Sequence, residues 1–203
     1  MGTRRNGRSA ALADWEGFYE ELQKETPRAA VIIAAAFMNG RLWELLVNFM
    51  VEDKGPVHQL LGTEDNASGP LGSFAARIMA AYCLGLISSD EYHDLNTIRH
   101  IRNRFAHRMH GFSFDDPEIV TWCKSLQTPR TLIKELPHLP QSHGSWFLLA
   151  VSLLGSRLAL RALNAERQRR VVPKGFEFAE VVQVSGDGVQ RWRPGRREGK
   201  DAE

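Results

Sequence analysis

The sequence predicts an all-α protein, a helical bundle of about five to six helices with a basic, partly disordered C-terminal extension. Two observations indicate this organisation, the first for the helical bundle and the second for the separate extension. Apolar residues recur at three- and four-residue intervals over most of the chain, and a partly alternating, strand-like pattern follows beyond Pro173. The chain has 203 residues, of which 43% are hydrophobic, so it is long enough to bury a core in one domain. We place a helical domain at residues 12–170 and the extension at residues 171–203.

The N-terminal part of the chain predicts two helices and an irregular connection. Asp14 can cap the first helix, which runs to about Glu25. Pro27 lies where a first helical turn tolerates proline, and Ala29 to Val51 form a helix that is apolar nearly all round. Such a helix must be central to the bundle. Residues 53–70 are rich in glycine and proline, which predicts an irregular connection.

The middle of the chain predicts the third and fourth helices. The third spans Leu71 to Leu86. Ser88 and Glu91 stand three residues apart, as a capping box requires, so the fourth helix starts there and is predicted to end at Gly111. The apolar residues of the fourth helix lie close to one face, which predicts that they pack inward: Leu95, Ile98, Ile101 and Phe105.

The remainder of the domain predicts two more helices. Asp116 followed by Pro117 is a helix-start signal for the fifth. Trp146 to Leu163 are apolar on most faces and are predicted to form the last helix, which closes the bundle. In the extension, residues 185–188 can turn the chain into a short hairpin, and the sequence after Trp192 is typical of disorder.

Charge is balanced overall but uneven along the chain. The 26 basic and 24 acidic residues argue against a protein devoted to coating nucleic acid. Residues 157–203 carry eleven Lys or Arg against seven Asp or Glu, which leaves fifteen against seventeen before them. The basic tail could contact the phosphates of RNA or DNA without reading sequence, or it could be a solvated, flexible end. Its arginines are Arg167, Arg169, Arg170, Arg191, Arg193, Arg196 and Arg197.

No targeting or membrane signal is predicted. The first eight residues hold three arginines but lead into no apolar segment of the secretory type. The apolar stretch from Trp146 to Leu154 is much shorter than the roughly 20 residues that cross a bilayer. We therefore expect a cytoplasmic protein without a membrane partner.

The end of the fourth helix carries the strongest functional signal. Residues 99–111 hold a cluster of arginines and histidines that includes Arg102, Asn103 and His107. An arginine can bind a phosphate through two parallel hydrogen bonds, and a histidine can exchange a proton near neutral pH. The spacing resembles the Arg-x(4–6)-His motif of HEPN-domain ribonucleases, including the polar residue after the arginine.

The resemblance to HEPN domains implies a homodimer that brings two motifs together and cleaves RNA without a metal ion. In such a reaction His107 would move a proton to or from a reacting oxygen, Arg102 would stabilise the phosphorane charge, and Asn103 would orient one of them. A structural alternative also fits. Five residues turn a helix by roughly 140°, so Arg102 and His107 share a face only if the helix loosens near its end. Arg102 could instead pair with an acidic residue of the same or a neighbouring helix, such as Asp94, while His107 satisfies carbonyl groups of the last turn.

A longer likeness covers about residues 25–165. Five blocks, in the same order along the chain, resemble the mannitol operon repressor family: Val31 to Phe37, Leu71 to Arg77, Ala80 to Asp94, Ile98 to His107, and Phe112 to Asp116. The resemblance implies an all-helical fold and a regulatory role. The sequence itself shows no recognisable helix-turn-helix or base-reading helix. A repressor of this kind would therefore act through a partner protein or through an unfamiliar surface.

Three functions remain open from the sequence. The first is a regulator of expression that acts as a dimer through protein or nucleic-acid contacts. The second is a metal-independent endoribonuclease that uses Arg102 and His107. The third is a non-catalytic interaction module in which the motif only stabilises a helix end.

Other polar residues are predicted to be structural. Arg77 interrupts an apolar helix at a place where the resembled family also has arginine, and we expect it to form a buried ion pair with Asp94 or Glu91. Cys83 and Cys123 are predicted to be buried free thiols.

We expect no metal ion and no cofactor. His93 with Asp90 or Asp94 could in principle hold a metal, but acidic residues at a helix N-terminus are explained by the helix dipole.

Overall fold

A computed structural model describes residues 20–63, 66–107, 113–133, 142–173, 175, 182–185 and 188–191. The predicted all-α fold is confirmed. The described residues form seven helices: α1 (Pro27–Phe49), α2 (Lys54–Leu61), α3 (Phe74–Cys83), α4 (Ser89–His107), α5 (Pro117–Ser125), α6 (Thr128–Ile133) and α7 (His143–Arg167). Residues 20–24 are also helical. The predictions for Asp14, Gly111 and the residues after Arg191 lie outside the described residues.

Two long helices, α1 and α7, pack along each other at the centre of the bundle. Thr26 caps α1 by accepting a hydrogen bond from the backbone N–H of Ala29, and Pro27 occupies the first turn as predicted. Ser142 caps α7 in the same way. The core side chains that these two helices bury completely are Val31, Ala34, Met38, Leu42, Leu45, Leu46, Phe147, Ala150, Val151, Leu154 and Leu158.

By length and composition alone, α1 and α7 are long and apolar enough to cross a membrane. The prediction from the sequence considered only a shorter stretch of α7. The core helix of a soluble bundle passes the same test, because burial against protein and burial in lipid select the same residues. At one end of the pair, the Asn48 side chain donates to the Ala162 carbonyl (3.5 Å), and the backbone N–H of Arg170 donates to the Phe49 carbonyl (2.9 Å).

The prediction of an irregular connection after α1 was wrong in part, because this segment contains the helix α2. Asp53 caps this helix by accepting from the backbone N–H of Gly55, so the chain can start a helix despite its glycine and proline. Val57 and Leu61 are buried and hold α2 on the core. Gly62 ends it with a φ of 74°, where a Cβ atom would lie 2.2 Å from the carbonyl oxygen of Asn66. A side chain at this position would clash with the turn.

The start of α4 is confirmed in detail. The Ser88 hydroxyl accepts from the backbone N–H of Glu91, and the Glu91 carboxylate accepts from the backbone N–H of Ser88, which is a complete capping box. Helix α5 begins at Pro117 as predicted, but Asp116 accepts from the backbone N–H of Ser113 and makes no side-chain cap bond to the helix. The short α6 was not predicted.

The C-terminal residues form a separate unit, Val172–Glu203. Its described part is an antiparallel hairpin of β1 (Val182–Ser185) and β2 (Gly188–Arg191), in which Ser185 lies opposite Gly188.

The two cysteines differ in burial. Cys123 is buried as predicted, and burial raises the pKa of its thiol to about 12. The prediction for Cys83 was wrong, since this residue is exposed at the end of α3.

Candidate functional site

Helix α4 is held in the bundle by its predicted apolar face. Leu95, Ile98, Ile101 and Phe105 are all completely buried. The ring of Phe105 also packs against Phe114, with ring centroids 5.7 Å apart. Because these four residues fix the rotation of the helix, they determine which of its polar residues lie on the surface.

The acidic residues in the first half of α4 bind other helices of the bundle. Glu91 is only 2% exposed, and its carboxylate accepts from the Arg161 side chain of α7 at 2.8–2.9 Å. Asp94 is fully buried and accepts from the backbone N–H groups of Gln127 and Thr128, each at 2.8 Å. These two donors lie at the start of α6, so Asp94 caps that helix from a distance.

The prediction that Arg77 forms an ion pair with Asp94 or Glu91 was wrong. Arg77 is 3% exposed, and its guanidinium donates to the carbonyl groups of Leu71 (3.1 Å), Leu61 (2.9 Å) and Asn39 (3.3 Å) and to the Asn39 side chain (3.0 Å). It forms no ion pair within the described residues. Desolvation by burial lowers the pKa of Arg77 from its ordinary value. The residue ties α1, α2 and α3 together through neutral acceptors.

The second half of α4 carries the motif residues at the surface. Arg102 is exposed and donates to the side-chain oxygen of Asn103 at 3.0 Å. The suggested pairing of Arg102 with Asp94 was therefore wrong. His107 is exposed and is the last residue of the helix.

The structure brings together Arg102 and Asn103 but not Arg102 and His107. Because α4 stays helical through His107, the five-residue step turns the chain by roughly 140° between these two side chains. Within one chain, a site that uses both residues would need them to reach around the helix.

Other basic side chains surround the motif. Arg99 donates to the Asn96 side chain at 3.3 Å and lies 3.3 Å from the His100 ring nitrogen. Burial and the charge of Arg99 lower the pKa of His100, so this imidazole is held in its neutral form more strongly than usual. Arg104 pairs with Glu118 of α5 at 2.6 Å. The surface of the second half of α4 therefore bears net positive charge and suits a phosphate or carboxylate.

The residues that the structure describes do not form a metal site. No three His, Cys, Asp or Glu side chains converge there. His93 instead bonds the Ser125 carbonyl at 3.2 Å, and Asp94 is occupied by backbone donors. The acidic residues of this turn are explained by helix capping and the tie to Arg161.

Comparison with known proteins identifies the family. Residues 16–176 match the family described as the mannitol repressor. The chain belongs to the mannitol repressor family. The resemblance predicted from the sequence blocks is thereby confirmed, whereas the likeness to HEPN domains remains a prediction.

Curated relatives in this family include the mannitol operon repressors of two Escherichia coli strains. Each is 26% identical over 96 residues, which is 47% of this chain and 49% of the relative. The chain therefore spans about half the length of the curated relatives it matches.

A relative of known structure shows the fold. The X-ray structure of the complex of MtlR with HPr from Escherichia coli matches with a TM-score of 0.58 and 21% identity, over 72% of this chain and 99% of that one.

One surface of this mannitol repressor family member was not predicted from its sequence. Three large apolar side chains are exposed near the C-terminal end of α3, Met79 (50%), Tyr82 and Leu84, and we call these three residues the α3 patch. The Tyr82 ring lies against the Tyr92 ring, with centroids 4.5 Å apart. The helical spacing of the apolar residues gave the right periodicity. It could not show which side of the apolar stripe the bundle leaves uncovered.

Proposed function

We propose that this protein is a cytoplasmic regulator of gene expression that works through contact with a protein partner of the HPr type. Membership of the mannitol repressor family over residues 16–176 carries the proposal. The structure of a related protein was determined as a complex of MtlR with HPr, which supports a protein partner. The absence of a recognisable base-reading helix in the sequence also favours regulation through protein contacts.

The α3 patch is the surface that best fits such a partner. Exposed apolar side chains near one another in a fold favour a contact site, and aromatic residues and methionine are enriched at the centres of interfaces. Tyr82 is held in place by its contact with Tyr92, so the patch is partly preorganised.

The binding of labelled HPr to the purified protein tests this proposal. Met79→Glu and Leu84→Glu place a charge in the patch, and each should weaken binding about tenfold or more, which is about 1.4 kcal/mol. Leu163→Glu is the matched control, because Leu163 is an exposed leucine on α7. HPr that fails to bind, or that binds all four proteins equally, would contradict the proposal.

We further propose that the working unit is a homodimer with a capacity for nucleic-acid contact. The basic surface around Arg102 and the arginines of the C-terminal tail supply sequence-independent phosphate contacts. Sedimentation equilibrium measures the protomer count, and a gel-shift salt titration measures the contact. A regulator that recognises its operator should discriminate between DNA sequences at every salt concentration, whereas purely electrostatic binding falls steeply with salt and ignores sequence.

A second function, metal-independent cleavage of RNA, is favoured by one observation: Arg102 and His107 are both exposed, and neither forms an ion pair within the described residues. On this proposal, the ribose 2′-oxygen attacks the phosphorus and the bond from phosphorus to the 5′-oxygen breaks. One His107 imidazole takes the 2′-hydroxyl proton or gives a proton to the leaving 5′-oxygen, water makes the other proton transfer, and Arg102 binds the charged phosphorane. Labelled single-stranded RNA in EDTA should then be cut. The cleavage should vanish in His107→Ala but persist in His58→Ala.

Mixing two inactive variants tests whether the site is shared between chains. If Arg102 of one chain works with His107 of the other, a re-equilibrated mixture of Arg102→Ala and His107→Ala regains about a quarter of the wild-type rate, because about half of the dimers each hold one intact site. No recovery would indicate a site within one chain. Intact RNA with the wild-type protein would reject the nuclease altogether.

A further inference from the structure

An open cleft of about 690 Å³ lies beside the middle of α1. Its walls include Phe37, Gly40, Arg41, Trp43 and Glu44 of α1 and Arg77 of α3. This volume lies in the usual range of small-molecule sites, about 300–1,000 Å³. The cleft is separate from the motif residues of α4 and from the α3 patch, neither of which lines it.

The cleft carries more positive than negative charge. Arg77 contributes a buried guanidinium whose described partners are all neutral oxygens, so its charge is not cancelled by a carboxylate there. Arg41 pairs with Glu44 at 2.9 Å, and Glu44 is itself partly exposed to solvent. Two cations therefore face one anion, and a buried unbalanced charge in a concave site attracts a ligand of opposite sign.

Arg41 also has one unsatisfied hydrogen-bond donor among the described residues. Its Nε atom is buried and has no hydrogen-bond partner among the described residues. The guanidinium lies over the Phe37 ring, 4.9 Å from the centroid, which holds it at the cleft wall. A buried donor without an acceptor is unfavourable, so Arg41 has unused hydrogen-bonding capacity at the cleft wall.

Two aromatic rings supply an apolar surface for the body of a ligand. Phe37 and Trp43 are both partly buried and line the same cleft. The Trp43 indole donates to the Gly62 carbonyl at 3.1 Å, so the orientation of its ring is fixed. A ligand that joins an anionic group to an apolar body would use both kinds of wall.

Gly40 lines the cleft and contributes no side chain to it. Glycine in the middle of a long helix is less favourable than alanine, yet a Cβ atom at Gly40 would meet no atom within 4 Å. The packing of the described residues therefore does not require glycine here. Any larger side chain would project into the empty space of the cleft.

We propose that this cleft binds a small organic anion, a phosphate or carboxylate on an apolar or aromatic body. The anionic group binds at Arg41 and is attracted by the buried charge of Arg77, and the body packs against Phe37 and Trp43. Such a ligand gives the protein a site for a metabolite that is independent of any protein partner. This proposal does not rest on HPr binding and can fail or succeed separately.

Isothermal titration with four probes tests the chemistry of the site. Phenyl phosphate and benzoate distinguish the phosphate from the carboxylate as the anionic group, inorganic phosphate lacks the apolar body, and phenol lacks the charge. We expect saturable 1:1 binding of phenyl phosphate, benzoate or both, at least tenfold tighter than either inorganic phosphate or phenol. Absence of saturable binding by both organic anions would overturn the proposal.

Two variants locate the binding. Gly40→Leu fills the cleft without altering charge, and Arg41→Gln removes one cation; each should weaken binding of the better probe at least tenfold. Ala106→Leu and Arg157→Gln are matched controls, because they make the same kinds of change outside the cleft walls, and they should bind as the wild type does. If Gly40→Leu and Arg41→Gln, shown by circular dichroism to be folded, bind as well as the wild type, the cleft is not the site.

Discussion

The two halves of α4 carry charged side chains at similar density but use them differently. In the first half, Glu91 and Asp94 are buried and bind groups on α7 and at the start of α6. In the second half, Arg102 and His107 are exposed, and the described hydrogen bond of the Arg102 side chain reaches only the adjacent Asn103. The acidic side chains of the first half bind neighbouring helices, whereas the side chains of Arg102 and His107 in the second half lie in solvent.

The difference has a physical origin in burial. A carboxylate that leaves water must be matched by strong donors, so Glu91 and Asp94 can be buried only where the fold supplies them. An exposed arginine keeps its hydration and needs no such match. Long-range partners therefore mark side chains that the fold depends on, and local partners mark side chains that remain available for binding.

Replacement of Asp94 by alanine is expected to have the largest effect. It leaves the backbone N–H groups of Gln127 and Thr128 without their acceptor. Each such loss costs about 1–3 kcal/mol for a buried donor, so the free energy of unfolding should fall by about 3 kcal/mol. Urea denaturation followed by circular dichroism measures this change.

Asp90→Ala is the control for Asp94→Ala. Asp90 lies one helical turn before Asp94 but is exposed, and its carboxylate is expected to act through a favourable interaction with the helix dipole. Its loss should cost less than about 1 kcal/mol. Equal destabilisation by the two variants would show that the first half of α4 is not tied to α6 as the contacts indicate.

Replacement of Glu91 by glutamine should have a smaller effect. Glutamine keeps an acceptor for the backbone N–H of Ser88 but removes the charge opposite Arg161. Arg161 is more than a third exposed, so water can partly replace the lost partner. We expect a loss of about 1–2 kcal/mol in urea denaturation.

The control for Glu91→Gln is Glu118→Gln. Glu118 pairs with Arg104, and both side chains are more than a third exposed. A surface pair of this kind contributes about 0–1 kcal/mol. If the two glutamine variants lose the same stability, burial does not distinguish the tie to α7 from a surface pair.

Local signals in the sequence predicted one half of this comparison well. The capping box of Ser88 and Glu91 and the inward face of α4 both depend on residues within a few turns of one another, and both are present. The distant partners of Asp94 and Arg77 could not be predicted, because residues 30 or more positions away supply the acceptors or donors. Helix α2 was missed although its cap is local: Asp53 accepts from Gly55 two residues later, and glycine and proline in the first turn are compatible with a helix.

The candidate site was predicted from residue types and spacing, and the structure adds exposure and direction. The sequence identified Arg102, Asn103 and His107 as a group, and the fold places all three on α4. It did not reveal the cleft beside α1, because Arg41 and Arg77 are far apart in the chain and meet only when α1 and α3 pack. The α3 patch was missed for a related reason, since periodicity alone does not show which apolar residues stay uncovered.

Removal of the motif side chains is expected to have the smallest effect on stability. Arg102 and His107 are exposed and tie no other helix through an ion pair within the described residues, so Arg102→Ala and His107→Ala should each change the free energy of unfolding by less than about 0.5 kcal/mol. The melting temperature should shift by no more than about 1–2 °C. If either variant loses as much stability as Asp94→Ala, the second half of α4 also holds the bundle together. Any loss of function in that variant would then reflect the fold, and the motif would be structural.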